Sequence, residues 1–132
     1  MRIFKLFCDF GPRYHPIFTL KIKTMTLNEY QQHALETAIY PENRRIIDPT
    51  LGLTGEAGEV ADKVKKVIRD AHEEFTDEKR LEIVKEIGDV LWYCATLARD
   101  LGYELDDVAQ MNVDKLRSRM QRHIISGSGD NR

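Results

Sequence analysis

Apolar and polar positions along most of the chain recur with the period of a helix rather than that of a strand. Leu27, Tyr30, Ala34 and Ala38 stand at helical spacing behind Thr26-Leu27-Asn28-Glu29, a capping-box pattern with Thr26 as N-cap and Glu29 at N3. The first helix is expected to run to about Ile39 and to stop at Tyr40-Pro41, since the residue before a proline is pushed out of the α region. A second helix is expected from Pro49-Thr50 to about Asp70, with Ala57, Val60, Val64, Val67 and Ile68 as its apolar stripe. Ala71 to Phe75 reads as a polar connection. Thr76 or Asp77 then caps a third helix that runs to Leu101, with Gly102 at the C′ position. Its stripe is Leu81, Val84, Gly88, Leu91, Ala95 and Ala98. A fourth spans about Leu105 to His123, with Leu105, Ala109, Val113, Leu116 and Met120 facing inward. There is no internal repeat and little β signal. The pattern predicts an all-α, four-helix-bundle-like protomer. The first helix has a weak apolar face, so oligomerisation is one way to complete the core.

Residues 1–24 break this pattern. They carry Gly11-Pro12 and Pro16 and show no sustained period. They also hold five basic groups and one acid, for +4, which leaves 15 basic and 21 acidic groups and a charge of −6 on residues 25–132. A secretory signal is a poor reading, because Lys5 and Asp9 interrupt the apolar stretch and no small-residue cleavage site follows. Met25 stands directly before the first helix start and is expected to begin the ordered domain. The domain reading is therefore 1–24 as an N-terminal extension, 25–125 as the helical domain and 126–132 as a flexible, polar, glycine-rich tail. A packing arm built on Ile17-Phe18-Thr19-Leu20 and Ile22 is the alternative for the first segment.

Composition narrows the function classes. A chain of 132 residues fits one domain. Twenty basic against 22 acidic residues give a net charge of −2, which argues against a duplex nucleic-acid binder that works by neutralising phosphates. Two cysteines, Cys8 and Cys94, make neither a zinc set nor a secreted disulfide framework. No apolar run reaches the ~20 residues of a membrane span. A cytoplasmic protein without membrane partners is expected.

The second helix then breaks a local rule. Gly52, Gly55 and Gly58 fall within nine residues of its start, and each costs about 1 kcal/mol relative to alanine in a helix interior. Close helix packing and a functional site are both open explanations. Acids stand beside the glycines. Glu56 and Glu59 are three apart and share a helix face, as do Glu86 and Asp89 on the third helix, which flank Gly88. If the two faces meet, four carboxylates converge and repel. A hard divalent cation relieves that repulsion, and an all-oxygen set without Cys or His favours Mg²⁺, or Mn²⁺, over zinc. Two solvated acidic faces remain the plain alternative. A di-iron bundle site is excluded, because no glutamate has a histidine three residues later. On the fourth helix Asn112, Lys115 and Arg119 form a polar row suited to phosphate, or an ordinary solvated face. Tyr93, one turn after Asp89, is placed to stack a base, while Trp92 reads as packing.

Three stretches taken together resemble the MazG-like all-α nucleoside triphosphate pyrophosphohydrolases. They are Gly52-Leu53-Thr54-Gly55-Glu56-Ala57-Gly58-Glu59-Val60, Glu86-Ile87-Gly88-Asp89-Val90-Leu91-Trp92-Tyr93 and Asn112-Val113-Asp114-Lys115-Leu116. The resemblance covers roughly Leu27 to Met120. The family's first glutamate position is Gly55 here, a form that also looks like small house-cleaning members of the family. The resemblance implies that Glu56, Glu59, Glu86 and Asp89 bind Mg²⁺ and form the catalytic set. It implies hydrolysis of a nucleoside triphosphate to monophosphate and pyrophosphate. Glu56 would take a proton from the attacking water. Asn112 and Lys115 would hold phosphate oxygens, Tyr93 would pack near base or sugar, and Lys63 and Lys66 are further phosphate candidates. It also implies a homodimer or homotetramer with sites built partly at the interface. Two other readings stay open: a non-catalytic bundle that binds a nucleotide or protein partner, and a specialist for phosphoribosyl-ATP, dUTP or dCTP.

Overall fold

The structure, a computed structural model, describes residues 24–122 and 124. The expectations for the segment before Thr24 and for the tail from Ser126 onward lie outside the described residues. Within them the chain is all-helical, in the order α1 (Leu27–Leu35), a 3₁₀ turn (Glu42–Arg44), α2 (Ile47–Asp70), α3 (Asp77–Asp100) and α4 (Leu105–Gln121). No helix among the described residues is long and apolar enough to cross a membrane.

Local chemistry explains most of the boundaries. Thr26 accepts from Glu29 N at 3.0 Å while Glu29 accepts from Thr26 N at 2.8 Å, so the capping box forms as expected. α1 nevertheless ends at Leu35, short of Ile39. Thr37 turns its hydroxyl onto Ala34 O at 2.9 Å, and the next amides bond three residues back rather than four, which tightens the chain out of the helix. α2 starts two residues before Pro49, which sits in the first turn where its missing N–H costs nothing. Thr76 caps α3. At its far end Gly102 takes φ 84°, Tyr103 N bonds Ala98 O at 2.9 Å and Gly102 N bonds Arg99 O at 2.9 Å, a Schellman motif with the glycine where the sequence placed it.

α4 begins differently, because Glu104 supplies no side-chain cap. Two residues of α1 supply it. Gln31 Oε1 accepts from Leu105 N at 3.1 Å, and Asn28 Oδ1 accepts from Asp106 N at 2.9 Å. Gln31 is fully buried and also donates Nε2 to Ala95 O at 2.9 Å and Tyr103 O at 3.2 Å. One amide side chain thus ties α1 to the end of α3 and the start of α4.

α2 and α3 form a long pair, while α1 and α4 pack on α3. The buried cluster is Ala34, Ala95, Ala98 and Leu105, with Leu27, Tyr30 and Trp92 packed against it. This corrects the expected stripes. Only Ala95 and Ala98 of the α3 stripe are buried, whereas Leu81, Val84, Gly88 and Leu91 are exposed. The half-buried α3 side chains in that stretch include Ile83, Glu86 and Val90 instead. On α2, Ala57 and Ile68 are exposed, and on α4 so are Val113, Leu116 and Met120. The apolar period was read correctly, but within one protomer nothing described packs on that side of it.

Candidate functional site

The site grows from the α2–α3 pair. Glu56 lies on the half-buried side of α2, and Glu86 and Asp89 lie three apart on α3. One carboxylate oxygen from each of Glu56, Glu86 and Asp89 lies within 4.8 Å of the other two. Glu59, the fourth expected member, is exposed and stands outside this group. Its charge still reaches Glu56. Burial pushes the Glu56 carboxyl above its ordinary value, and the charges of Asp89, Glu86 and Glu59 add to the shift.

A cleft of about 300 Å³ opens beside the trio, lined by Thr37, Glu56, Asp89, Trp92 and Tyr93. Its aromatic wall is held from two sides. Trp92 Nε1 donates to Thr37 Oγ1 at 2.8 Å and Ala34 O at 3.1 Å. The Trp92 and Tyr93 rings meet edge to face, with centroids 4.8 Å apart and planes at 88°. Tyr93 lies over Gly52, where an added Cβ would overlap its ring atoms Cε1 and Cζ. Close approach therefore explains Gly52. It does not explain Gly55, Gly58 or Gly88, since a Cβ at each would meet nothing within 4 Å. Trp92 and Thr37 as parts of the cleft were missed in the sequence. Thr37 follows the end of a helix whose early stop the apolar period hides.

The basic candidates fall elsewhere. Lys63 points along α2 to α3 and pairs with Glu86, Nζ to Oε1 at 3.6 Å. Lys66 pairs with Asp62 at 2.6 Å on the same helix. Asn112 and Lys115 line a different groove of about 470 Å³ with Tyr103, Val108 and Met111. None of α4 lines the acid cleft. Arg119, third in the polar row, is buried.

The donors of the trio are all carboxylate oxygens on two helices, with no thiol or imidazole among them. Such a set suits a hard, oxygen-seeking divalent cation. The described residues thus form an all-helical protomer with an acidic cleft on the α2–α3 pair that suits a divalent cation. The chain belongs to the MazG nucleotide pyrophosphohydrolase domain family, whose model matches residues 49–124. That span includes α3, α4 and all but the first two residues of α2, and hence every acid of the cleft. The chain is also 46% identical over 114 residues to the Gene 37 protein of Mycobacterium phage L5, covering 82% of this chain and 100% of the phage protein. No solved structure matches it significantly.

Proposed function

We propose that the protein hydrolyses a ribo- or deoxyribonucleoside triphosphate to the monophosphate and pyrophosphate, as a nucleotide-pool house-cleaning enzyme of the cytoplasm. The observation that supports this reading is the convergence of Glu56, Glu86 and Asp89 beside an aromatic-walled cleft. Glu56, Glu86 and Asp89 would hold Mg²⁺, or Mn²⁺, with Glu59 at the edge of the set. The bound cation would neutralise the triphosphate and acidify a coordinated water.

The chain's own groups do the rest. The water oxygen adds to the α-phosphorus, the bridging bond to the β-phosphate breaks, and pyrophosphate leaves. Glu56 accepts the water's proton at a carboxylate oxygen. Burial and the neighbouring acids raise its affinity for a proton, which suits a base. Tyr93, fixed by Gly52 and Trp92, flanks the base or sugar. Asn112 and Lys115 hold phosphate oxygens when a second copy presents them to the cleft, in a homodimer or homotetramer. The uncovered apolar positions Leu81, Val84, Leu91, Val113 and Leu116 support such an assembly.

The test is a panel of nucleoside and deoxynucleoside triphosphates with Mg²⁺, scoring pyrophosphate against orthophosphate. Pyrophosphate and monophosphate in equal amounts are expected. Binding of a nucleotide without turnover of any would replace this reading with that of a non-catalytic bundle.

A further inference from the structure

The acid cluster is not purely acidic, and its positive member is asymmetrically placed. Lys63 Nζ sits 3.6 Å from Glu86 Oε1, and the side chains are about 29% and 19% exposed, so water screens them less than it screens a surface pair. The charge of Lys63 also reaches Glu82, one turn before Glu86 on α3. Glu82 accepts from Lys79 Nζ at 3.1 Å, and its carboxyl is held below the ordinary value chiefly by that bond, with Lys63 adding to the effect. At the other end no ion pair among the described residues reaches Glu56 or Asp89. The charges that reach Glu56 from the described residues are those of Asp89, Glu86 and Glu59, all acids.

We infer that Lys63 is a tethered counter-ion of the acid cluster: its ammonium holds Glu86 in place and biases the divalent cation towards Glu56 and Asp89. This rests on the reading of the cluster as a cation site. It differs from the expectation that Lys63 grips phosphate, because an ammonium paired with Glu86 faces the acids. Two positive charges then serve one set of carboxylates, and each weakens the attraction felt by the other. Lys63 is thus a positioning residue, which lowers cation affinity in the absence of nucleotide and keeps Glu86 ordered when no cation is there.

The experiment is a Mn²⁺ titration of the full-length, chelator-stripped protein without nucleotide, followed by calorimetry and by the electron paramagnetic resonance of the unbound ion. Lys63→Gln is expected to bind Mn²⁺ several-fold to about tenfold more tightly, since a unit positive charge near a divalent ion has been removed. Lys63→Arg keeps the charge and is expected to bind as wild type does. The Lys63→Gln variant is also expected to melt earlier without cation and to gain more from Mn²⁺. In a Glu86→Gln background Lys63→Gln should no longer lower the cation-free melting temperature, which ties that loss to the pair. Unchanged or weaker Mn²⁺ binding in Lys63→Gln, with wild type binding normally, overturns the inference and leaves the cation site standing. Wild type that binds no Mn²⁺ overturns the cation site itself.

Discussion

The ring of Tyr93 on α3 occupies the space that a side chain at position 52 of α2 would need, so Gly52 is the seat of Tyr93. The contact fixes how closely the two acid-bearing helices approach at the cleft. It also separates Gly52 from the other glycines of the site, which face open space.

That contrast gives a paired expectation. Gly52→Ala should displace Tyr93 and destabilise the fold by about 1–3 kcal/mol, as overpacking does, with a loss of activity greater than the loss of stability explains. Gly58→Ala adds a methyl group that meets nothing among the described residues, and helix propensity alone should stabilise it by up to about 1 kcal/mol. Urea unfolding of the two variants checks both. A destabilised Gly58→Ala would place a second copy of the chain against that face of α2.

Glu56 should be a residue that activity needs and the empty fold does not. Its raised pKa means that folding favours the protonated form. The stabilising contribution is therefore present below the ordinary glutamate value and is lost as pH rises through the folded value. At neutral pH the charged carboxylate works against the fold. Glu56→Gln should accordingly melt at a higher temperature than wild type at pH 7 without divalent cation, and the difference should shrink on acidification. Activity should fall by about 10²–10³-fold or more, the usual cost of losing a group that acts on the reacting atoms. Thermal melts across pH, with and without Mg²⁺, check this, and Mg²⁺ should raise the wild-type midpoint while leaving the variant nearly unmoved.

Gln31 should be one of the costliest single residues to change. Its amide makes three hydrogen bonds to main-chain groups, each of which loses its partner on truncation. Gln31→Ala should cost about 2–4 kcal/mol, from unpaired buried polar groups and a small void. Urea midpoints measure the loss, and Gln31→Glu, which sets a buried carboxylate against Ala95 O and Tyr103 O, should cost at least as much at neutral pH.

Tyr40 donates its hydroxyl to Asp100 Oδ2 at 2.7 Å, and burial, followed by the bond and charge of Asp100, lifts its pKa to about 12. This contribution to stability is complete below the unfolded tyrosine value near 10 and is lost as pH rises from there towards 12. A tyrosinate absorbance titration should lose a late-ionising step in Tyr40→Phe, while Tyr30, whose pKa burial also raises, stays.

Much of this was legible in the chain because it is local. A capping box, a C′ glycine and an i, i+3 pair of acids are short-range rules, and Thr26, Gly102 and the Glu86–Asp89 pair obey them. The periodic pattern also showed which positions are apolar. It could not show what covers them, so Leu81, Val84 and Leu91 were assigned to a core that the protomer does not contain. At the site, spacing placed four acids on two faces, but rotation of α2 against α3 decides that Glu56 joins the trio and Glu59 does not. The pairing of Lys63 with Glu86 and the multiple bonds of Gln31 span the tertiary structure and have no signature in spacing.

The borrowed cap of α4 has a kinetic consequence. A helix whose first turn is completed by its own neighbouring residue can nucleate as soon as it is made, but α4 waits for partners 74 and 78 residues earlier in the chain. Closing a loop of that length is a late and slow event compared with forming a helix. α1 and α4 should therefore gain order in the same step, after α2 and α3 have paired. The groove of Asn112 and Lys115 would then be the last part of the protomer to take shape, and the first to open when amide exchange is followed residue by residue.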